Sequence, residues 1–173
     1  WLQGKPLSTA IARRLPQSTT AFARLRLNAN RLRLVPSWLR DRFLPSRLGG
    51  PLGEMLPSTG SLLDQLGDEI GIGVLGLDKG ATVESLAQAM SDPRLLTQLL
   101  HVVMAVRLQT ADAGPALVAQ VRESLTAGGW QTADVKVGGW TGLSATRSTP
   151  PQVWSVLTAG DVFLVISGPG EME

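Results

Sequence analysis

Between residues 153 and 166 the chain folds back on itself near Ala159 and Gly160, and both faces of the resulting hairpin are apolar. Trp154, Val156, Phe163 and Val165 fall on one side, with Val153, Leu157, Val162, Leu164 and Ile166 on the other. Successive side chains of a strand point to opposite faces, so a strand on the surface of a sheet alternates polar with apolar. A strand pair that is dry on both sides belongs in the centre of a sheet and must be covered twice, by helices, by another sheet or by a partner.

The rest of the chain supplies the material for such a sheet. Ala21, Ala23, Leu25 and Leu27 alternate with Phe22, Arg24, Arg26 and Asn28, which predicts a half-buried strand with the two arginines on its wet face. Pro36 opens a short helical turn through Trp38 and Phe43, and residues 45–60, rich in Pro and Gly, read as a linker or long loop. Ser61 and Asp64 start a short helix that ends at Gly67, and Ile70, Ile72, Val74 and Leu75 form a Gly-interrupted strand. Thr82 caps a helix with Val83, Leu86, Ala87 and Met90 on one face, and Asp92 with Pro93 starts another. It runs into residues 102–108, which read as a strand, with a continued helix as the alternative. Asp112, Pro115 and Gly128 bracket a helix with Leu117, Val121 and Leu125 in line. Gly138 and Gly139 turn a hairpin between Val135 and Val137 and the strand from Trp140, with Trp140 on the apolar face. The expected fold is α+β: a mainly antiparallel sheet packed by helices, in a single domain over residues 1–173. Strand, helix and strand occur in residues 21–77 and again in 102–137, which raises an internal duplication and an alternative division into sub-units 1–78 and 79–173.

Composition removes several chemistries. The chain has no cysteine and one histidine, which excludes disulfides, thiol nucleophiles, Cys-based metal sites and any multi-His site within one chain. Its apolar runs are far shorter than the ~20 residues of a membrane-spanning helix. A chain that begins at Trp1 reads as a processed or excised piece of something longer. The net charge of +2 conceals a polarity: residues 1–50 carry ten basic groups and one acid, and residues 51–173 carry six basic groups and thirteen acids. The first part is at +9 and the second at −7. Such a division serves an anionic partner, or one half of the fold neutralises the other.

The candidate sites follow from these patterns. Arg24, Arg26, Arg31, Arg33, Arg40 and Arg42, with Trp38 and Phe43 among them, suit contact with an anionic partner, either a membrane surface or a polymer. Against that stands a charged edge strand that resists edge-to-edge pairing; nucleic acid is disfavoured, because no nucleic-acid-binding motif accompanies the arginines. Gly71, Gly73 and Gly76 match G-x-G-x-x-G, but they sit inside a strand with no helix opening at the motif, so a strand thinned for close packing outweighs a dinucleotide loop. His101 is the sole histidine and has no nucleophile elbow to serve, which favours packing over catalysis. Asp64, Asp68 and Glu69 cluster, Asp64 and Asp68 one helical turn apart, and fit a solvated face or a landing place for the basic half better than a metal site. Trp130 is left open between core and sugar stacking.

Residues 102–108, the helix over 115–125 and the closing hairpin with Gly160, Asp161, Val162, Phe163, Leu164 and Val165 resemble bacterial secreted or lipid-anchored envelope proteins of unknown function built from β-α-β-β units. The resemblance covers roughly residues 92–167. It implies a location in the cell envelope, periplasmic or membrane-anchored, and a non-enzymatic role, and it brings no functional residues with it. The expectation is a non-catalytic interaction or scaffolding module without cofactor or metal. Its partner is a protein or a second copy, docked on Trp154, Val156, Phe163 and Val165 and on the arginine-rich third. Peripheral binding to an anionic membrane or polymer is the alternative, and an enzyme with an unrecognised site is the second alternative.

Overall fold

The computed structural model describes residues 11–26, 65–78, 80–91, 99–148 and 151–168. A 3-10 turn, Ala12–Arg14, leads into strand β1 (Ala21–Arg26), followed by β2 (Leu66–Leu77), helix α1 (Val83–Ser91), β3 (Leu100–Leu108), helix α2 (Ala113–Ala127), β4 (Gln131–Val137), β5 (Trp140–Ser148), β6 (Pro151–Ala159) and β7 (Val162–Ser167). The strands form one antiparallel sheet of 7 strands in the order β1-β2-β3-β7-β6-β5-β4. The fold is therefore dominated by its sheet. No helix among the described residues is long and apolar enough to cross a membrane.

The doubly apolar hairpin stands where its pattern requires, with β7 between β3 and β6, and β6 between β7 and β5. Its register places Val156 opposite Val165 and Leu157 opposite Leu164, so the two dry sides are continuous across the pair. On the first side α2 lays Leu117, Val118, Val121 and Leu125 against Leu143, Trp154, Val156, Phe163 and Val165. The helix joins β3 to β4 across the sheet, and the meander β4 to β7 then fills the space between them. On the other side Leu157, Val162, Leu164 and Ile166 pack with Val103 and Ala105, under Ile11, Leu15, Phe22, Val135 and Trp140. The cover on this second side comes from the segment before β1 and from the two ends of the sheet. Only the spacing of Ile11 and Leu15, one helical turn apart, hints at this in what otherwise reads as a polar lead-in.

Several expectations change at this level. β1 buries the face opposite to the one its alternation predicts: Phe22 is half-buried in the second core and Arg24 lies on the same side, while Ala21 and Ala23 are exposed. The cause lies across the ladder. Phe22 pairs with Gly73 and Arg24 with Gly71, and a Cβ on Gly71 would sit 2.4 Å from the Phe22 ring. Two glycines thus open a recess that an aromatic ring fills better than two alanines could. The helix expected to stop at Gly67 gives way to strand from Leu66 onward, directly after a helical Gln65; residues 61–64 lie outside those described. In α1, Val83 is 79% exposed and Ala87 is exposed, while Ala89 is buried; the side chains of Leu86 and Met90 lie outside those described. The closing turn falls on Gly160 and Asp161, one residue later than expected, with Ala159 paired to Val162 and Gly160 at φ +57°.

Candidate functional site

Two clefts flank the β4–β5 end of the sheet, one on each face. The first lies between α2 and β4, has a volume of about 390 Å³, and is edged by Arg122, Asp134, Lys136, Thr141 and Thr158. The Arg122 guanidinium donates to the Asp134 carboxylate across its mouth, tying the helix to the strand. The close seat of the helix depends on Gly114, where a Cβ would come within 2.0 Å of the Thr158 hydroxyl.

The second cleft, about 450 Å³, lies on the opposite face. Its floor is Leu157, Leu164 and Ile166, one wall is Trp140 with Val137 and Gly138, and the other is the run from Arg14 to Ser18. Each wall is held from within the chain. Ile11 is fully buried and anchors the run in the core. Arg14 donates to the Ala159 carbonyl at the tip of the closing hairpin. Thr19 donates back to Pro16 through both its N–H, at 3.0 Å, and its hydroxyl, at 2.7 Å. Thr20 then bonds the Val74 carbonyl at 2.8 Å and the chain enters β1. On the opposing wall, Gly138 and Gly139 at φ +53° and +86° close a two-residue turn that pairs Val137 with Trp140. Trp140 is half-buried and packs with the second core. Gln17 and Ser18 are exposed at the rim. An apolar floor beside a fixed indole, with polar groups at the edge, can take an apolar group and orient it by hydrogen bonds.

The residues singled out in the sequence are dispersed differently. Trp154, Val156, Phe163 and Val165, expected to face a partner, are 2%, 0%, 4% and 4% exposed and lie in the core under α2. The cover demanded by this side of the hairpin is the chain's own helix, which corrects that expectation. Arg26 lies 3.7 Å from Asp68, so this arginine of the basic third meets an acid of the other part. Arg24 is half-buried. Arg31, Arg33, Trp38, Arg40, Arg42 and Phe43, and also Asp64, lie outside the described residues. Asp68 and Glu69 are neighbours on a strand, Asp68 with its side chain 60% exposed and Glu69 2% exposed, rather than members of one helical face.

His101 Nε2 stands 3.8 Å from Asp78, and the imidazole packs over Gly168, where a Cβ would lie 2.6 Å from Nδ1. The neighbouring Ser167 hydroxyl accepts the Val102 N–H at 2.9 Å and lies 3.4 Å from the Leu100 and Val102 carbonyls, so it is occupied by the backbone of β3. This is a packing histidine at a strand start. Gly71 and Gly73 lie within β2 against Phe22, Thr19 and Val103, which is the close-packed strand and no phosphate loop. Trp130 is 3% exposed in the first core with Arg147 5.6 Å above its ring, which removes it as a sugar platform. No group of three His, Cys, Asp or Glu converges among the described residues. Compared with protein-family models, with curated proteins and with solved structures, the chain matches none.

Proposed function

We propose that this chain is a non-catalytic interaction module of a bacterial envelope protein, and that it seats an apolar side chain from a protein partner in the cleft beside Trp140. The observation that carries the reading is the anatomy of that cleft: a half-buried indole, a floor of core aliphatics and an exposed polar rim of Gln17 and Ser18. Interfaces combine an apolar centre with a polar edge, and tryptophan is prominent among the residues that dominate their energy. The envelope setting draws its support from the sequence resemblance over residues 92–167. Within the same reading, the strand–helix–strand runs of residues 21–77 and 102–137 are copies of one unit, supported by their order along the chain.

A displayed peptide library panned on the purified chain tests this. Enriched peptides are expected to share an aromatic or aliphatic anchor. They should lose about tenfold or more in affinity for Trp140→Ala, which removes the wall, and for Ser18→Trp, which fills the cleft from an exposed position. Unchanged far-ultraviolet circular dichroism separates lost binding from lost fold. Absence of enrichment, or equal binding to folded Trp140→Ala and Ser18→Trp, overturns the proposal.

A further inference from the structure

β4 is an edge of the sheet among the described residues, and its sequence is self-complementary. It pairs with β5 through seven consecutive residues, Gln131 to Val137, without a register shift, and it contains no proline. Bulges and prolines, two of the devices by which natural edges avoid further pairing, are absent from it, and charge, a third, is carried by Asp134 and Lys136. The parity of the hairpin determines which groups point outward. A two-residue turn makes Val137 and Trp140 a hydrogen-bonded pair, so Val135 with Gly142 and Ala133 with Ser144 are hydrogen-bonded as well. The N–H and C=O groups of Thr132, Asp134 and Lys136 therefore face away from β5.

From this geometry we infer that β4 pairs antiparallel with β4 of a second copy of the chain, on a two-fold axis at Val135. In that register Asp134 exchanges both main-chain bonds with Lys136 of the second copy, and Lys136 does so with Asp134 of the second copy. Both members of each pair present outward-facing groups, as a ladder requires. The charges match at the same time: each Asp134 carboxylate lies across from a Lys136 ammonium, a favourable cross-strand pair. A two-fold axis at Asp134 would set like charges against each other, and one at Ala133 would leave both lysines without an acid. On the opposite face the register at Val135 puts Val135 against its own copy and Val137, 36% exposed, against Ala133. Asp134 is held on one side by Arg122 and has 83% of its side chain exposed on the other, so it can accept the lysine as well. A foreign strand would have to reproduce this pattern of charge and valine, whereas a second copy supplies it by symmetry. The pairing uses the main-chain edge of β4 and meets the Trp140 cleft only at Val137, and its test does not depend on that cleft.

Sedimentation velocity over a concentration series on the intact chain tests the pairing. The unmodified chain is expected to dimerise, and Lys136→Pro, which removes an outward N–H at a position where an edge strand tolerates proline, is expected to stay monomeric and folded. Asp134→Lys and Lys136→Glu each set like charges across the axis and should each be monomeric alone. Mixed together they restore both opposite-charge pairs, and a heterodimer should form. A monomeric unmodified chain, a dimer that survives Lys136→Pro, or a mixture that stays monomeric overturns the inference.

Discussion

Gly142 shows how much a single missing side chain decides. It lies on β5 opposite Leu157, and a Cβ there would stand 1.9 Å from the Val156 carbonyl oxygen and 2.8 Å from the Leu157 Cα. Both obstacles are backbone of a central strand, which cannot turn aside as a side chain can. Gly142→Ala is expected to cost about 1–3 kcal/mol, the usual range for overpacking, read as a lower midpoint in urea. Gly114 differs, because its obstacle is the Thr158 hydroxyl at 2.0 Å. There Gly114→Ala should destabilise alone and recover part of the loss when combined with Thr158→Ala, which removes the hydroxyl and the methyl but leaves the Thr158 Cβ at 2.9 Å. A glycine's presence in these positions is plain in the sequence, but the atom it yields to comes from another strand or helix and has no local signature.

At the scale of elements, α1 carries a pH-dependent start. Thr82 and Ser85 bond reciprocally: the Ser85 N–H donates to the Thr82 hydroxyl at 3.1 Å, and the Thr82 N–H to the Ser85 hydroxyl at 2.8 Å. Hydrogen bonds from its own backbone N–H and then from the Thr82 hydroxyl hold the Glu84 carboxyl below its ordinary value of 4.5. A lowered folded-state pKa stabilises the helix above the unfolded value, and the contribution fades as pH falls through the folded one. Protection of the α1 amides, measured against their intrinsic exchange rates at each pH, is therefore expected to fall on acidification below that range. Glu84→Gln should remove this dependence, and Thr82→Ala should weaken the helix start at neutral pH by about 1 kcal/mol. The Thr82 cap was legible because it is local, as were β3, the apolar stripe of α2 and the turn at Gly138 and Gly139. The buried face of β1 was not. Its alternation is equally regular in either phase, and the choice fell to a recess made by Gly71 and Gly73 more than 40 residues away.

For the molecule as a whole, the consequence is that the central hairpin is closed off within the chain. Phe163 is 4% exposed between β3 and β6 and beneath α2. Phe163→Asp would bury a charge in an apolar core, and the expected outcome is loss of cooperative unfolding rather than release of a partner from a folded chain. A folded, cooperatively melting Phe163→Asp variant would contradict the placement of α2. The tip of the same hairpin is tied down by Arg107, which donates to Asp161 at 2.9 Å, and by Arg14 on the Ala159 carbonyl. The two proposed contact surfaces, the Trp140 cleft and the β4 edge, lie apart from this buried hairpin face. Residue order alone determined that residues 153–166 form a central, doubly covered pair, that the Gly138 turn exists, and that α2 has an apolar stripe. These follow from the two-residue and 3.6-residue periods, which involve near neighbours only. Tertiary structure decided what covers each side, α2 on one and the segment at Ile11 on the other. It also set Arg26 against Asp68. Those outcomes depend on the fit between segments distant in sequence, where shape and charge are compared only after the chain has brought them together.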